Sequence, residues 1–426
     1  MHSLSHSTPQ LIKATISKQV KKRPGFWLFM SMMLVNAGNY GFNVVMGRWL
    51  GPSAYADINL IITFFLVATF ITSGLQMATA RAIVGVNNQH MLTMLRRVAW
   101  VCGGLSLLGL GLFASIWQGL FQTTSSLPFI ILGAGLTCYY ALGVERGIAQ
   151  GCAHFGRLAW NFQLEMGIRL LGALSLVALG MGVVGATIAL SSSIILAWFR
   201  MANYQTNSIV HGTKQAIRMT AMIPIIMHLL GQVFINNSDV IVVKAWFPAL
   251  IAGQYAALAL IGRVVFFATA TVGTILFPRV LNAPHHREQQ QLFWHSILIT
   301  IGIAGLITVV CKAIPTLLLG WLFGAAYGSM AHLLWLYAAA TSCYAVANII
   351  ITYQLAQDRS FGAWATIVAG ITQVVIIARF HHTIDHILYG QIGIMLGLLG
   401  ILSIHEIRRS IINSAFATRR ISSNTS

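Results

Sequence analysis

Charge is the scarcest property of this 426-residue chain, and acidic charge is the scarcest of all. Asp, Glu, Lys and Arg together make up 8% of the residues, against about a quarter in a soluble domain. That deficit excludes a soluble globular protein. The cysteines are few as well. Cys102, Cys138, Cys152, Cys311 and Cys343 show no CxxC spacing and mostly fall in or beside apolar runs, so they read as small buried hydrophobes. No polar stretch is long enough to hold a separate soluble domain.

What fills the chain instead is apolar. Hydrophobic residues reach 57% and mean hydropathy is +0.76. They are gathered in runs of about 20 residues, the length an α-helix needs to cross about 30 Å of hydrocarbon. A membrane barrel would show short alternating segments, which these runs are not. The fold class predicted is therefore all-α and polytopic. Twelve spans fit, at 26–46, 57–80, 98–117, 128–144, 163–180, 183–200, 219–243, 251–277, 293–313, 330–354, 361–380 and 387–405. The tight Gly180-Met-Gly-Val connection makes a hairpin of the fifth and sixth. Basic residues from Lys13 to Arg23 precede the run at Phe26 without a small-residue cleavage site after it, so the first run reads as a transmembrane helix rather than a signal peptide.

The excess of 26 Lys and Arg over 8 Asp and Glu resembles a nucleic-acid binder's, but in a polytopic protein basic residues chiefly set orientation. With the N-terminus in the cytoplasm, 20 of them fall on the cytoplasmic side. Four (Arg48, Lys244, Lys312, Arg379) fall outside, and Arg169 and Arg263 lie within spans. No nucleic-acid partner is expected. Both termini are expected in the cytoplasm, with the chain integral to the cytoplasmic (inner) membrane.

The two halves of the chain resemble each other. Asn43 to Pro52 aligns without gaps on Asp239 to Pro248, and after a four-residue insertion Tyr55-Ala56 meets Tyr255-Ala256. Six spans separate the copies, so they share one orientation and form parallel repeats around a central cleft. The division expected is a basic tail at 1–25, six-helix lobes at 26–205 and 206–405, and a basic tail at 406–426.

Polar side chains at membrane depth are costly and usually face a bundle interior or a wet cavity. Asn36, Tyr40 and Asn43 sit at i, i+4 and i+7, and Gln232, Asn236 and Asp239 repeat that spacing in the matching span. These stripes are the candidate lining of a transport cavity; helix-to-helix hydrogen bonding is the alternative. Asp239 could hold a coupling H⁺ or Na⁺, or pair with Arg263 on the next span. Glu165 and Arg169, at i and i+4, suit an intrahelical ion pair near the cytoplasmic interface or a substrate contact. Arg263 has no acid at i±4, which makes it an anion-contact candidate.

Other motifs carry less. Gly180 to Gly185 fits GxGxxG but joins two membrane helices, with no strand before it, so no nucleotide site is expected. His381, His382, Asp385 and His386 read as a solvated cluster rather than a metal site. Asn236 to Ser238 is a glycosylation sequon by letter alone, and Gly393/Gly397 has the spacing of helix packing. No cofactor and no metal are expected.

Three stretches resemble the polysaccharide-transport and O-antigen flippase family of the multidrug/oligosaccharidyl-lipid/polysaccharide exporter superfamily. They are Met46-Gly-Arg-Trp-Leu-Gly-Pro52 with Tyr55-Ala, Arg146-Gly-Ile-Ala-Gln-Gly151 with Phe155-Gly-Arg157, Glu165 and Arg169, and Asn237-Ser-Asp239 through Lys244 with Ala252 to Ala256, Gly262-Arg263 and Phe277-Pro-Arg279. The resemblance spans about residues 25–405. It implies two six-helix lobes, alternating access, and a cationic cavity for lipid-linked or anionic glycans, with Asp239, Arg263, Glu165 and Arg169 at family-pattern positions. It implies the bilayer and glycan-assembly proteins as partners. The drug-exporting branch often carries an acid in the first span, where this chain has Asn36, Asn39 and Asn43. A cation-coupled drug or metabolite antiporter of the same fold is the alternative. A glycosyltransferase or glycan polymerase would need a sizeable outer loop with acids or His, and the outer loops hold little beyond Asp57 and Asp385, so the chain is not expected to be an enzyme.

Overall fold

The computed structural model describes residues 23–85, 89–202 and 223–423. Lys13, Lys18, Lys21, Lys22, Lys214, Arg218 and the expected lobe boundary at 205/206 lie outside them. Among the described residues there is no strand. Fourteen α-helices follow one another: α1 (Arg23–Gly85), α2 (Gln89–Gly111), α3 (Ala114–Phe121), α4 (Leu127–Gly151), α5 (Phe155–Ala178), α6 (Gly182–Ala202), α7 (Ile223–Trp246), α8 (Ala249–Gly262), α9 (Val264–Asn282), α10 (His286–Ala313), α11 (Pro315–Leu322), α12 (Leu334–Ala356), α13 (Phe361–Arg379) and α14 (Ile384–Ser423). A 3₁₀ turn, Ala325–Leu333, precedes α12.

Among the described residues, ten helical stretches are long and apolar enough to cross a membrane. One of them, Met30–Ile83, is two spans joined at a break, and α5 stands outside the ten. Dividing the first and adding α5 gives the twelve segments expected. The break is at Gly51, with φ 73 and ψ 170, a region essentially reserved for glycine. Pro52 follows at the first position of the new helix, where its missing N–H is not needed, and a proline there disfavours helical geometry in the residue before it. Gly180 and Gly182, both at positive φ, make the α5–α6 hairpin.

The residues fall into two compact units. One comprises Met1–Leu50 with Phe64–Ala216, the other Gly51–Thr63 with Ile217–Ser426. In the first, Gly143, Gly147 and Gly151 of α4 lie four apart against the backbone of Thr72, Gln76 and Ala80, also four apart. This is small-residue packing of the kind that brings membrane helices together. Gly393 and Gly397, read from sequence as packing residues, face open space instead. A Cβ on Gly147 would stand 2.5 Å from the Gln76 carbonyl oxygen, and that backbone cannot turn aside. Gly147→Ala should therefore cost about 1–3 kcal/mol as overpacking. Gly393→Ala should leave thermal stability in detergent unchanged, and the two melting curves measured side by side check this.

Several helices run beyond their apolar cores, and this corrects three placements. Arg146, counted as a loop residue, lies inside α4 and is 2% exposed. Glu165 and Arg169 sit in the middle of α5, not at its start. Asp57, read as part of an outer loop, is buried in the second limb of α1.

Candidate functional site

The second unit is organised around Asp239 of α7, which is fully buried. A lone carboxylate there would be prohibitive, and two helices and the α8–α9 junction supply its partners. Tyr255 of α8 donates to Oδ2 at 2.9 Å, and Tyr337 of α12 to the same oxygen at 2.8 Å. Arg263, between α8 and α9, donates from Nη2 to Oδ1 at 3.0 Å and from Nε to the Tyr337 hydroxyl at 2.9 Å. The backbone helps to place Arg263. The Thr341 hydroxyl lies 3.0 Å from the Gly262 carbonyl oxygen, at the point where α8 gives way to α9, and 2.6 Å from the Tyr337 carbonyl oxygen of its own helix. Gly262 has to be glycine, because a Cβ would collide with the Tyr337 ring. Asp239 and Arg263 are thus brought together as an ion pair.

The first unit holds a counterpart with the opposite balance. Glu165 of α5 accepts from Arg146 Nη2 at 2.6 Å and, at its other oxygen, from Arg169 Nη2. Arg146 also donates from Nε to Asn161 at 2.8 Å, and its guanidinium lies 4.0 Å from the centre of the Phe162 ring. Arg169 donates from Nη1 to Asn39 at 2.9 Å. Its Nε–H is buried with no acceptor. Two guanidiniums on one carboxylate leave the cluster one positive charge in excess. The i, i+4 spacing of Glu165 and Arg169 is legible in sequence; Arg146 is the member sequence reasoning missed.

A third pair was also missed. Lys244, at the end of α7, stands 2.7 Å from Asp57, and the side chains are 2% and 4% exposed. The repeat alignment sets Lys244 against Arg48, which is exposed. The copies have diverged there, and the buried cation took its counterion from the 51–63 segment. Nearby, Tyr55 packs its ring 5.6 Å from that of Phe323.

The polar stripes divide. Asn36 is exposed, Tyr40 half-buried and Asn43 buried, the last donating to the Asn39 carbonyl at 2.9 Å. Gln232 and Asn236 are half-buried, and Asn236 donates to the Gln232 carbonyl at 2.9 Å. Gln232 reaches Asn348 at 3.5 Å. Among the described residues no three His, Cys, Asp or Glu gather as a metal site would require.

All eight carboxylates of the chain fall within the described residues, and Glu288, Asp358 and Asp385 are exposed. Each of the other five has a Lys or Arg partner in its own unit: Asp57 with Lys244, Glu145 with Arg96, Glu165 with Arg146 and Arg169, Asp239 with Arg263, and Glu406 with Arg359.

No family model and no curated protein matches the sequence. Solved structures do match. An inward-facing multidrug resistance MATE family transporter of the MOP superfamily superposes with a TM-score of 0.66 at 17% identity, over 89% of this chain and 95% of that one. The lipid II flippase MurJ in an inward closed conformation gives 0.67 at 14% identity, over 90% and 87%. A MATE protein in complex with MaD3S gives 0.59 at 17%, over 93% and 97%. This is a polytopic integral membrane protein. Its fold is the one those MATE and MurJ structures share.

Proposed function

We propose that the chain is a transporter that moves a lipid-linked oligosaccharide or polysaccharide, by alternating access, from the cytoplasmic to the outer face of the inner membrane. The ion pairing of all five non-exposed carboxylates carries this reading. An antiporter coupled through a carboxylate needs an acid that takes up and gives back H⁺ or Na⁺, and here each non-exposed acid already has a Lys or Arg partner. The cluster around Glu165 has positive charge to spare and, in the Arg169 Nε–H, an unspent donor. Such a site suits an anionic oxygen, since charge-assisted hydrogen bonds from arginine to phosphate or carboxylate are strong. The structural likeness to a lipid II flippase supports the same substrate class. Asn36, Tyr40, Asn43, Gln232 and Asn236 would line the path, with Arg263 and Arg169 as headgroup contacts. No bond is made or broken, so no catalytic residue is assigned. Both termini are placed in the cytoplasm, from the bias of the basic loops.

Deleting the gene should leave lipid-linked glycan accumulating on the cytoplasmic side while surface polysaccharide disappears. Unchanged surface glycan with increased sensitivity to cationic drugs would instead favour the antiporter of the same fold, the reading that the likeness to a multidrug transporter supports.

A further inference from the structure

With the carboxylates locked, the titratable groups at membrane depth narrow to a few, and one stands apart. His228 of α7 is the one buried histidine among the described residues. An ionisable side chain inside a membrane bundle is by default a functional candidate, and histidine is the side chain whose charge changes between about pH 5 and 8.

Its ring bridges three helices. Nε2 lies 3.0 Å from Asn348 Oδ1 on α12, and Nδ1 lies 3.3 Å from Thr366 Oγ1 on α13. The Asn348 oxygen also faces the Gln232 amide nitrogen at 3.5 Å, and in that orientation it accepts from Nε2–H. Thr366 has one hydroxyl hydrogen and two uses for it. It lies 2.7 Å from the Gly362 carbonyl oxygen, and it can turn to the bare Nδ1. With a neutral ring, the hydroxyl donates to Nδ1. With a protonated ring, Nδ1–H donates to the hydroxyl oxygen, which sends its own hydrogen to Gly362. Both protonation states are then fully hydrogen-bonded, and they differ by one added proton and one hydroxyl rotation.

The setting is closely packed. Gly231, one turn from His228, meets the backbone of Thr366 and Ile367 so closely that a Cβ would stand 2.7 to 2.8 Å from it, and Gly370 packs on Gly231 and Phe234. None of His228, Gln232, Asn348 and Thr366 is in an ion pair. On the elements packed around it, the titratable and charged groups are Asp239 on α7, eleven residues on and roughly 16 Å away at 1.5 Å per residue, Lys244 beyond it, Tyr337, Cys343, Tyr344 and Tyr353 on α12, Arg379 at the far end of α13, and the Arg359–Glu406 pair beyond its near end.

We propose that His228, held by Asn348 and Thr366, is the proton-binding site through which a transmembrane pH difference drives this transporter. The step takes one proton from water onto Nδ1, converting imidazole to imidazolium, and returns it to the other side when the ring is next exposed. The proposal rests on the transport reading for its driving role, but proton binding itself does not need a substrate.

Two measurements test it. In substrate-free lipid nanodiscs, nitrogen-15 spectra of histidine-labelled protein will show one imidazole, absent from His228→Gln, going from one bonded proton to two as the pH is lowered from about 8 to about 3. Thr366→Val keeps the ring, removes its Nδ1 partner and shifts that titration to lower pH, which provides a second assignment if His228→Gln does not fold. A ring that keeps a single proton throughout overturns the proposal. In liposomes carrying a fluorescent polyprenyl-diphosphate-linked oligosaccharide, a difference of about one pH unit will drive about tenfold asymmetry of the probe across the bilayer. His228→Gln will abolish that asymmetry, and an equal asymmetry in the variant overturns the proposal. If the ring titrates but wild-type protein moves no probe, the glycan reading fails and the proton site stands.

Discussion

Glu165→Gln will be among the most damaging single substitutions in this protein. It leaves Arg146 and Arg169, both buried, facing each other with no counterion. Removing one partner of a buried pair costs about 3–5 kcal/mol, and here the residue removed serves two cations. Arg169→Gln should cost clearly less, because Glu165 then keeps Arg146 at 2.6 Å. The abundance of membrane-inserted, monodisperse protein, compared across the two variants and wild type, measures the ranking. Equal losses, or a neutral Glu165→Gln, would mean that the three charges are not electrostatically coupled and would remove the basis for a cationic site there.

The second large effect concerns Arg263. Arg263→Ala strips the ionic partner from Asp239 but leaves its two tyrosine donors. Even on the mildest scales an unpaired charge at membrane depth costs about 2.5–3.5 kcal/mol. Membrane abundance should therefore fall, and Asp239→Asn combined with Arg263→Gln should restore it. Glycan export by that double variant is the deciding measurement. Restored abundance without export gives Arg263 a role in transport, whereas full export shows that the pair only holds four elements together. Arg263→Lys should recover part of the function, since an ammonium cannot replace a guanidinium that spans Asp239 and Tyr337 at once.

Much of this architecture is legible in the chain itself. Apolar runs gave the spans, because hydrocarbon imposes a length. Helical spacing paired Glu165 with Arg169, and adjacency of spans suggested Asp239 with Arg263. The parts that escaped share one cause. A hydrophobicity pattern ends a span where a charge appears, so Arg146 looked like loop although it lies well inside α4. Lys244 and Asp57 each read as a surface charge at the end of a span, because what buries them is a partner far along the chain. His228 sits in an ordinary apolar stretch, and Asn348 and Thr366 are 120 and 138 residues away. Periodicity reports which face of a helix is greasy. It does not report which distant polar group completes a buried one.

The break at Gly51 has a consequence for anyone wishing to dissect the molecule. Because Gly51–Thr63 groups with the later residues, cutting the chain between its two six-span halves would not yield two self-sufficient pieces. The later piece would lack Tyr55 and Asp57, leaving Lys244 in the interior without its carboxylate and the Phe323 ring without its neighbour. Complementation from fragments and domain shuffling between homologues would both have to carry those thirteen residues along with the half they are not encoded beside.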